Sequence, residues 1–382
     1  MDAARSAEAE DMEAIRVMIA GGGTGGHLYM GIALARELQR RHPGHEAVFV
    51  GTRRGLEARI VPGEGFRLET ISSAGLKGMG ALRAARNSMI IPRSLWQSRR
   101  LIRRCAPHVV VGVGGYASGP VVLAAWWLGC PTMIIEPNAY PGLANRWLAR
   151  VIDRAALAFP DRGKYFGSKA EVTGIPVRNE FFALPPREHE PGRLRLLVYG
   201  GSQGSRALNR IVCEALPSLR DIGPSVNIVH QTGEKQLEAV RRAYEDAGVR
   251  GDVRPFLTRI FEEFARADLI VSRAGASTLA EITAAGRAAI LVPFPGATDD
   301  HQVRNALSLE QQGAARMIRE QEWDPGRLGR EIRRYLVHPE EIAGMEEAAR
   351  RLARPGATVR IADIVEELAG RTRARDVRTH RN

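Results

Sequence analysis

The sequence predicts an α/β fold of two doubly wound, Rossmann-like domains. Short Val/Ile/Leu-rich runs alternate with helical patterns at Val17–Ala20, Ala47–Val50, Val109–Val113 and Thr132–Ile135, and again at Leu194–Tyr199, Val226–His230, Leu269–Val271 and Ala289–Val292. Continuous apolar runs of this kind read as strands buried on both faces of a parallel sheet, and their spacing leaves room for crossover helices. Each set opens with strand, glycine loop and helix, and 382 residues are more than one ordinary core encloses. In such sheets a ligand sits beyond the C-terminal ends of the strands.

The first opening runs from an apolar strand, Ile15 to Ala20, through Gly21-Gly22-Gly23-Thr24-Gly25-Gly26-His27 into a helix beginning Leu28-Tyr29-Met30. A loop this rich in glycine lets backbone N–H groups approach an anionic oxygen, and the helix N-terminus adds partial positive charge. The loop satisfies G-x-G-x-x-G, a weak dinucleotide signal. A ribose-binding acid is expected after the second strand, but Gly51-Thr52-Arg53-Arg54 stands there. NAD therefore fits poorly, whereas an arginine would suit NADP. His27 has no place in a dehydrogenase fingerprint, but it suits a proton-transfer site.

From Leu76 to Arg104 there is no acid, and Lys77, Arg83, Arg86, Arg93, Arg99, Arg100, Arg103 and Arg104 interleave with Leu82, Met89, Ile90, Ile91, Leu95 and Trp96. Cations beside exposed apolar residues suit an anionic lipid surface, each contributing on the order of 1 kcal/mol near it. The ordinary alternative is a helix packing its apolar stripe on the sheet. Without an aromatic stacking platform, nucleic acid is a poorer fit. A third glycine loop, Gly112-Val113-Gly114-Gly115-Tyr116-Ala117-Ser118-Gly119-Pro120, and Glu136-Pro137-Asn138 follow the next strands and share the rim with His27.

Val172 to Arg193, with Pro176, Pro185, Pro186 and Pro191, reads as the linker. Beyond it, Leu194–Tyr199 runs into Gly200-Gly201-Ser202-Gln203-Gly204-Ser205. Leu269–Val271 leads through Ser272-Arg273-Ala274-Gly275 to Ala276-Ser277-Thr278-Leu279-Ala280-Glu281. Thr278 and Glu281 have capping-box spacing, so Glu281 either reaches back to a helix N–H or accepts hydrogen bonds from a ribose diol. After the last strand, Pro293 to Asn305 carries Asp299-Asp300-His301-Gln302, a polar cluster on the ligand edge in which Asp299 or Asp300 is expected to cap the helix.

With 55 basic and 43 acidic residues, the formal charge of +12 favours an anionic partner: nucleic acid, a membrane surface or a phosphorylated substrate. Three dispersed cysteines, Cys105, Cys130 and Cys213, suit a reducing compartment and give no metal-site spacing. The acidic, Ala-rich residues 1–14 are expected to be a disordered extension rather than a signal peptide, and 371–382 a solvated basic tail. The longest apolar candidate, Val121 to Leu128, is too short to span a bilayer, which needs about 18–20 residues.

Taken in order, these motifs resemble the MurG family, peripheral membrane glycosyltransferases of peptidoglycan synthesis with the GT-B fold. The likeness covers roughly Arg16 to Ala357. It rests on Gly22–His27, Gly114–Pro120, Gly174-Ile175-Pro176-Val177-Arg178, Gly200–Gly204, Arg273–Thr278 with Glu281, and His301-Gln302 with Asn305. It implies two domains facing a cleft, 15–177 for the acceptor and membrane and 178–352 for the UDP-sugar, with a helix at about 353–370 returning to the first. The activity implied is transfer of GlcNAc from UDP-GlcNAc to the muramyl C4 hydroxyl of lipid I. The place implied is the cytoplasmic face of the bacterial inner membrane, with segment 76–104 on the lipid and no nucleic acid partner.

By the same resemblance, Thr24, Gly25, Gly26, Asn138, Arg178 and Ser202 contact the donor, and Leu257 holds the uracil through its backbone. Ala276, Ser277, Thr278, Leu279, Ala280 and Glu281 hold diphosphate and ribose, which favours the diol role of Glu281. His301 and Gln302 bind the sugar, Tyr116 and Ser118 the acceptor. His27 is the general base, tuned by Glu136, and no metal or other cofactor is expected. The chain departs from the family in having Met30 for a proline, Pro137 for the glutamine of Glu-Gln-Asn, and His301 for a glutamine. Three rival functions are a UDP-GlcNAc 2-epimerase of the same fold, an NADP-dependent oxidoreductase and a non-catalytic nucleotide-sugar sensor at the membrane.

Overall fold

The computed structural model describes residues 13–23, 25–53, 55–73, 90–161, 163–201, 204–296 and 300–379, with side chains to residue 371. The chain divides into two compact units. The first comprises residues 1–137, 141–176 and 356–382, the second residues 138–140 and 177–355.

The first unit is built on a parallel seven-stranded sheet, β1 (Arg16–Gly21), β2 (Glu46–Gly51), β3 (Arg67–Thr70), β4 (Val109–Gly114), β5 (Thr132–Glu136), β6 (Arg154–Leu157) and β7 (Ala170–Glu171), ordered β3-β2-β1-β4-β5-β6-β7. Its helices are α1 (Gly25–Arg41), α2 (Glu57–Gly63), α3 (Ile90–Cys105), α4 (Ser118–Trp127) and α5 (Leu143–Leu148). Strand order reverses between β1 and β4, which opens the crevice used by ligands of doubly wound sheets. The two glycine loops expected at the rim leave from these two strands. Met18, Ala20, Val48, Val50, Val110 and Ile134 make the buried sheet face. Burying each of the Val, Ile and Met side chains stabilises the fold by about 1.5–3 kcal/mol.

The second unit repeats the plan with β8 (Leu194–Tyr199), β9 (Val226–Gln231), β10 (Asp252–Arg254), β11 (Leu269–Ser272), β12 (Ala288–Leu291) and β13 (Arg316–Met317), all parallel in the order β10-β9-β8-β11-β12-β13. It carries α6 (Asn179–Phe182), α7 (Arg206–Ala215), α8 (Leu237–Ala247), α9 (Ile260–Arg266), α10 (Ala276–Ala285), α11 (His301–Glu310), α12 (Arg327–Val337) and α13 (Pro339–Leu352). Its switch point lies between β8 and β11. Strands β3, β6, β7, β10 and β13 were not apparent in the sequence because they are short, with only two to four residues of pattern at or next to the sheet edges.

The final helix, α14 (Ala357–Thr379), lies with the first unit, where Arg41 of α1 pairs with Glu366 at 2.6 Å and Asp363 at 2.8 Å. One expectation needs correction. Helix α14 continues to Thr379, so the tail from 371 is not irregular; the N-terminal extension to residue 12 lies outside the described residues. The expected linker, Val172 to Arg193, holds the boundary between the units after Pro176; most of it is exposed, with packing at Thr173–Pro176 and around Phe181. Phe181 is fully buried edge-on against Phe264, with ring centroids 5.1 Å apart, and Arg187 pairs with Asp268 at 2.8 Å. Proline-rich composition excludes regular ladders, but it does not exclude packing.

Candidate functional site

In the first unit, the β1 and β4 loops touch. A β-carbon at Gly115 would lie 2.1 Å from the Gly22 carbonyl oxygen, and one at Gly114 2.9 Å from His27 Nε2; both glycines have positive φ. Only glycine allows this approach, and it lays the His27 ring against the β4 loop. Gly25 and Gly26 form the first turn of α1 beside it, while Thr24 lies outside the described residues.

The anion-cradle reading of the β1 loop needs amendment, because a carboxylate of the chain occupies part of it. Glu57 is buried, and its carboxylate accepts from Gly23 N–H at 3.0 Å, Thr52 N–H at 2.8 Å and the Thr52 hydroxyl at 2.8 Å. Burial alone would raise its pKa, but the hydrogen bonds from Gly23 and Thr52 outweigh this and hold it below the ordinary carboxylate value. Glu57 stands at the start of a seven-residue helix, and nothing in its local pattern distinguishes it from a helix-start acid.

Tyr116 is 61% exposed on the β4 loop, but Ser118 is buried, its hydroxyl tucked beneath the loop against Gly112. The buried Glu136 carboxylate accepts from Gly142 N–H at 3.1 Å and Asn145 Nδ2 at 2.8 Å, fixing the start of α5.

In the second unit, α10 starts at Gly275 with no side-chain cap, which rules out the Thr278–Glu281 capping box. Its first-turn N–H groups are left to another partner. Glu281 instead faces Arg178, 3.6 Å away. The Glu281 side chain is 19% exposed, yet burial pushes its pKa up to about 7, partly opposed by Arg178. Arg178 also lies over the Phe181 ring at 5.0 Å. Nothing in its local sequence marks Arg273 as more than one residue of the β11 loop. Its buried guanidinium donates to the Ser205 hydroxyl at 2.9 Å, the Val292 carbonyl at 3.0 Å and Glu320 at 3.2 Å, tying the β8 loop to the end of β12.

Leu257 is buried between β10 and α9. Gln302 Oε1 accepts from Phe294 N–H at 3.0 Å, and His301 opens α11 beside it. Asp300, one of the two expected caps, stands at the N-cap of α11 with φ 53°, but its side chain makes no cap bond. Asp299 and Ser202 lie outside the described residues. Asn138 belongs to the second unit, where its Oδ1 accepts from Asn305 Nδ2 at 3.2 Å. No group of three or more His, Cys, Asp or Glu among the described residues could hold a metal ion.

The basic segment is described only from Ile90, because its residues 76–89 lie outside the described residues. On α3 and α4, Trp96 is 61% and Trp127 71% exposed, and Trp147 at the end of α5 is 66% exposed. Arg100, Arg99 and Arg150 lie over these rings at 5.8, 5.8 and 5.2 Å respectively. Three exposed tryptophans, each with an arginine over its ring, thus stand on this face of the unit. Trp126, Trp127 and Trp147 were missed because their helices look like ordinary buried ones in sequence.

The glycosyltransferase family 28 N-terminal domain matches residues 17–157, and the corresponding C-terminal domain matches 195–368. A curated relative from Anaeromyxobacter sp. (strain Fw109-5), named UDP-N-acetylglucosamine–N-acetylmuramyl-(pentapeptide) pyrophosphoryl-undecaprenol N-acetylglucosamine transferase, is 50% identical over 94% of both chains. The crystal structure of Acinetobacter baumannii MurG is similar with a TM-score of 0.76 and 32% identity, over 92% of this chain and 99% of that one. The structure of a putative UDP-N-acetylglucosamine 2-epimerase from Listeria monocytogenes shares the fold alone, with a TM-score of 0.65 and 15% identity over 93% of this chain and 96% of that one.

Proposed function

Since the chain belongs to the MurG family of glycosyltransferases, we propose that it makes lipid II, transferring GlcNAc from UDP-GlcNAc to the muramyl C4 hydroxyl of lipid I with inversion. The observation that carries the donor side is the uncapped start of α10 with Glu281 facing Arg178. The first-turn N–H groups of Ala276 to Thr278 and the Arg178 guanidinium suit the diphosphate, and Glu281 suits the ribose diol.

His27 takes the acceptor proton as the hydroxyl oxygen attacks the anomeric carbon. The bond from that carbon to the diphosphate breaks, and the electron pair leaves with UDP. General-base help of this kind contributes typically ~10²–10⁴ in rate. The growing charge on UDP is met by α10 and Arg178, fixed in place before the reaction begins. No metal is assigned to this step. In this reading Glu136 tunes His27 and also fixes the start of α5.

The membrane is the second partner in this reading. Ile91, Trp96, Trp126, Trp127 and Trp147 with their arginines supply an aromatic and cationic surface for anionic lipid at the inner face of the cell membrane. No helix among the described residues is long and apolar enough to cross a membrane.

The test is UDP release from UDP-GlcNAc with and without a lipid I analogue in detergent. Acceptor-dependent release with a disaccharide-lipid product is expected, and His27→Ala should lower kcat by ~10²–10⁴. Conversion of UDP-GlcNAc to UDP-ManNAc without acceptor would instead establish the epimerase. Turnover of His27→Ala within a few-fold of wild type would remove the general-base assignment.

A further inference from the structure

The segment Pro137-Asn138-Ala139-Tyr140-Pro141 follows β5, yet its three central residues belong to the second unit. Neither proline has an N–H, so the segment has little backbone with which to anchor itself. Its anchor in the second unit comes from α11. Asn305 is completely buried there. Its Oδ1 accepts from Ala139 N–H at 2.8 Å, and its Nδ2 donates to the Ala274 carbonyl and to Asn138 Oδ1, both at 3.2 Å. The neighbouring Arg304 lies over the Tyr140 ring at 4.3 Å.

These partners fix the carboxamide without ambiguity. A backbone N–H can only donate and a backbone carbonyl can only accept, so Asn305 Oδ1 must face Ala139 and its Nδ2 must face Ala274. Nδ2 can only donate, so the atom Asn138 turns towards it must be its oxygen. One buried side chain thereby sets the orientation of Asn138 and holds the residue preceding Gly275, where α10 begins.

We infer that Asn305 is a positioning residue for the sugar nucleotide: it acts through Asn138 and the Ala274–Gly275 turn and does not touch the reacting atoms. The inference rests on the donor-binding reading of Asn138. It also gives a physical account of Pro137, since a segment deprived of a donor at that position is held by a side chain from elsewhere.

The experiment measures kcat, KM for UDP-GlcNAc and melting temperature for the full chain, Asn305→Ala, Asn138→Ala and the double variant. Asn305→Ala is expected to raise KM about tenfold with a smaller change in kcat, as loss of a buried hydrogen-bonding hub implies. Because part of the Asn305 effect runs through Asn138, the double variant is expected to fall clearly short of the product of the two single effects on KM. If Asn305→Ala does not fold, Asn305→Ser, which keeps an acceptor for Ala139 N–H, takes its place in the same cycle. A lowered melting temperature with KM unchanged, or multiplying effects in the double variant, would overturn the inference while leaving the donor reading intact. An unchanged KM in Asn138→Ala would overturn the donor reading itself, and the inference with it.

Discussion

Glu57 offers the sharpest check on how the first unit holds its glycine loop. Its carboxylate accepts three hydrogen bonds, from Gly23 N–H and from the N–H and hydroxyl of Thr52. Hydrogen bonds to a charged group contribute about 1.5–3 kcal/mol each, an upper sum near 4.5–9 kcal/mol for three. Gly23 is exposed and Thr52 half-buried, so water can replace part of what is lost in Glu57→Ala. About 3 kcal/mol is the expected net loss, equivalent to ~6–12 °C in the melting temperature of a unit this size. Glu57→Gln keeps an acceptor for Thr52 but turns an amide N–H towards Gly23 N–H, so about 2 kcal/mol is expected. The sign with pH follows from the lowered pKa: the stabilisation is present above the ordinary carboxylate value and is lost as pH falls through the folded value. Scanning calorimetry of the three proteins at neutral pH measures this, with kcat reporting on the neighbouring His27. A Glu57→Ala transition within 2 °C of wild type would refute the view that this carboxylate shapes the loop.

Three further outcomes follow from the geometry. With the Glu281 pKa raised to about 7, the ionised form that accepts from a diol is incomplete at neutral pH. UDP-GlcNAc affinity measured by calorimetry should rise with pH from 6 to 8, and Glu281→Gln should bind more weakly with no such dependence. His189 lies 3.4 Å from Asp268 and 3.3 Å from Glu346, carboxylates that together raise its pKa to about 9, with Arg187, Arg287 and Arg350 also around the cluster. Its stabilisation, at most about 3 kcal/mol, should be complete below pH 6.5 and lost as pH approaches 9; a melting-temperature profile that His189→Asn does not flatten would contradict this. Trp127→Ala should leave melting unchanged because the ring is 71% exposed, yet weaken sedimentation with anionic vesicles by about tenfold. Equal vesicle binding would remove Trp127 from the lipid surface.

The sequence by itself determined the architecture and the rim. Val/Ile/Leu runs at strand spacing, each followed by a glycine loop, leave few alternatives to a doubly wound sheet, because both faces of such strands must be covered. The same periodicity placed the loops carrying His27, Tyr116, Asn138 and Ala276 at strand ends. Tertiary structure decided what those loops do with their polar groups. The capping-box spacing of Thr278 and Glu281 was real, but Arg178, a hundred residues away in the chain, offers Glu281 a charged partner that no local pattern reveals. Glu57, Arg273 and Asn305 are likewise unremarkable in sequence, for each earns its role from carbonyls and N–H groups on remote segments. Exposure behaved the same way: Trp127 and Ser118 sit at opposite ends of α4, one facing solvent and the other buried. Hydropathy indicates how much apolar surface a helix has, while only packing against its neighbours decides which part of it stays outside.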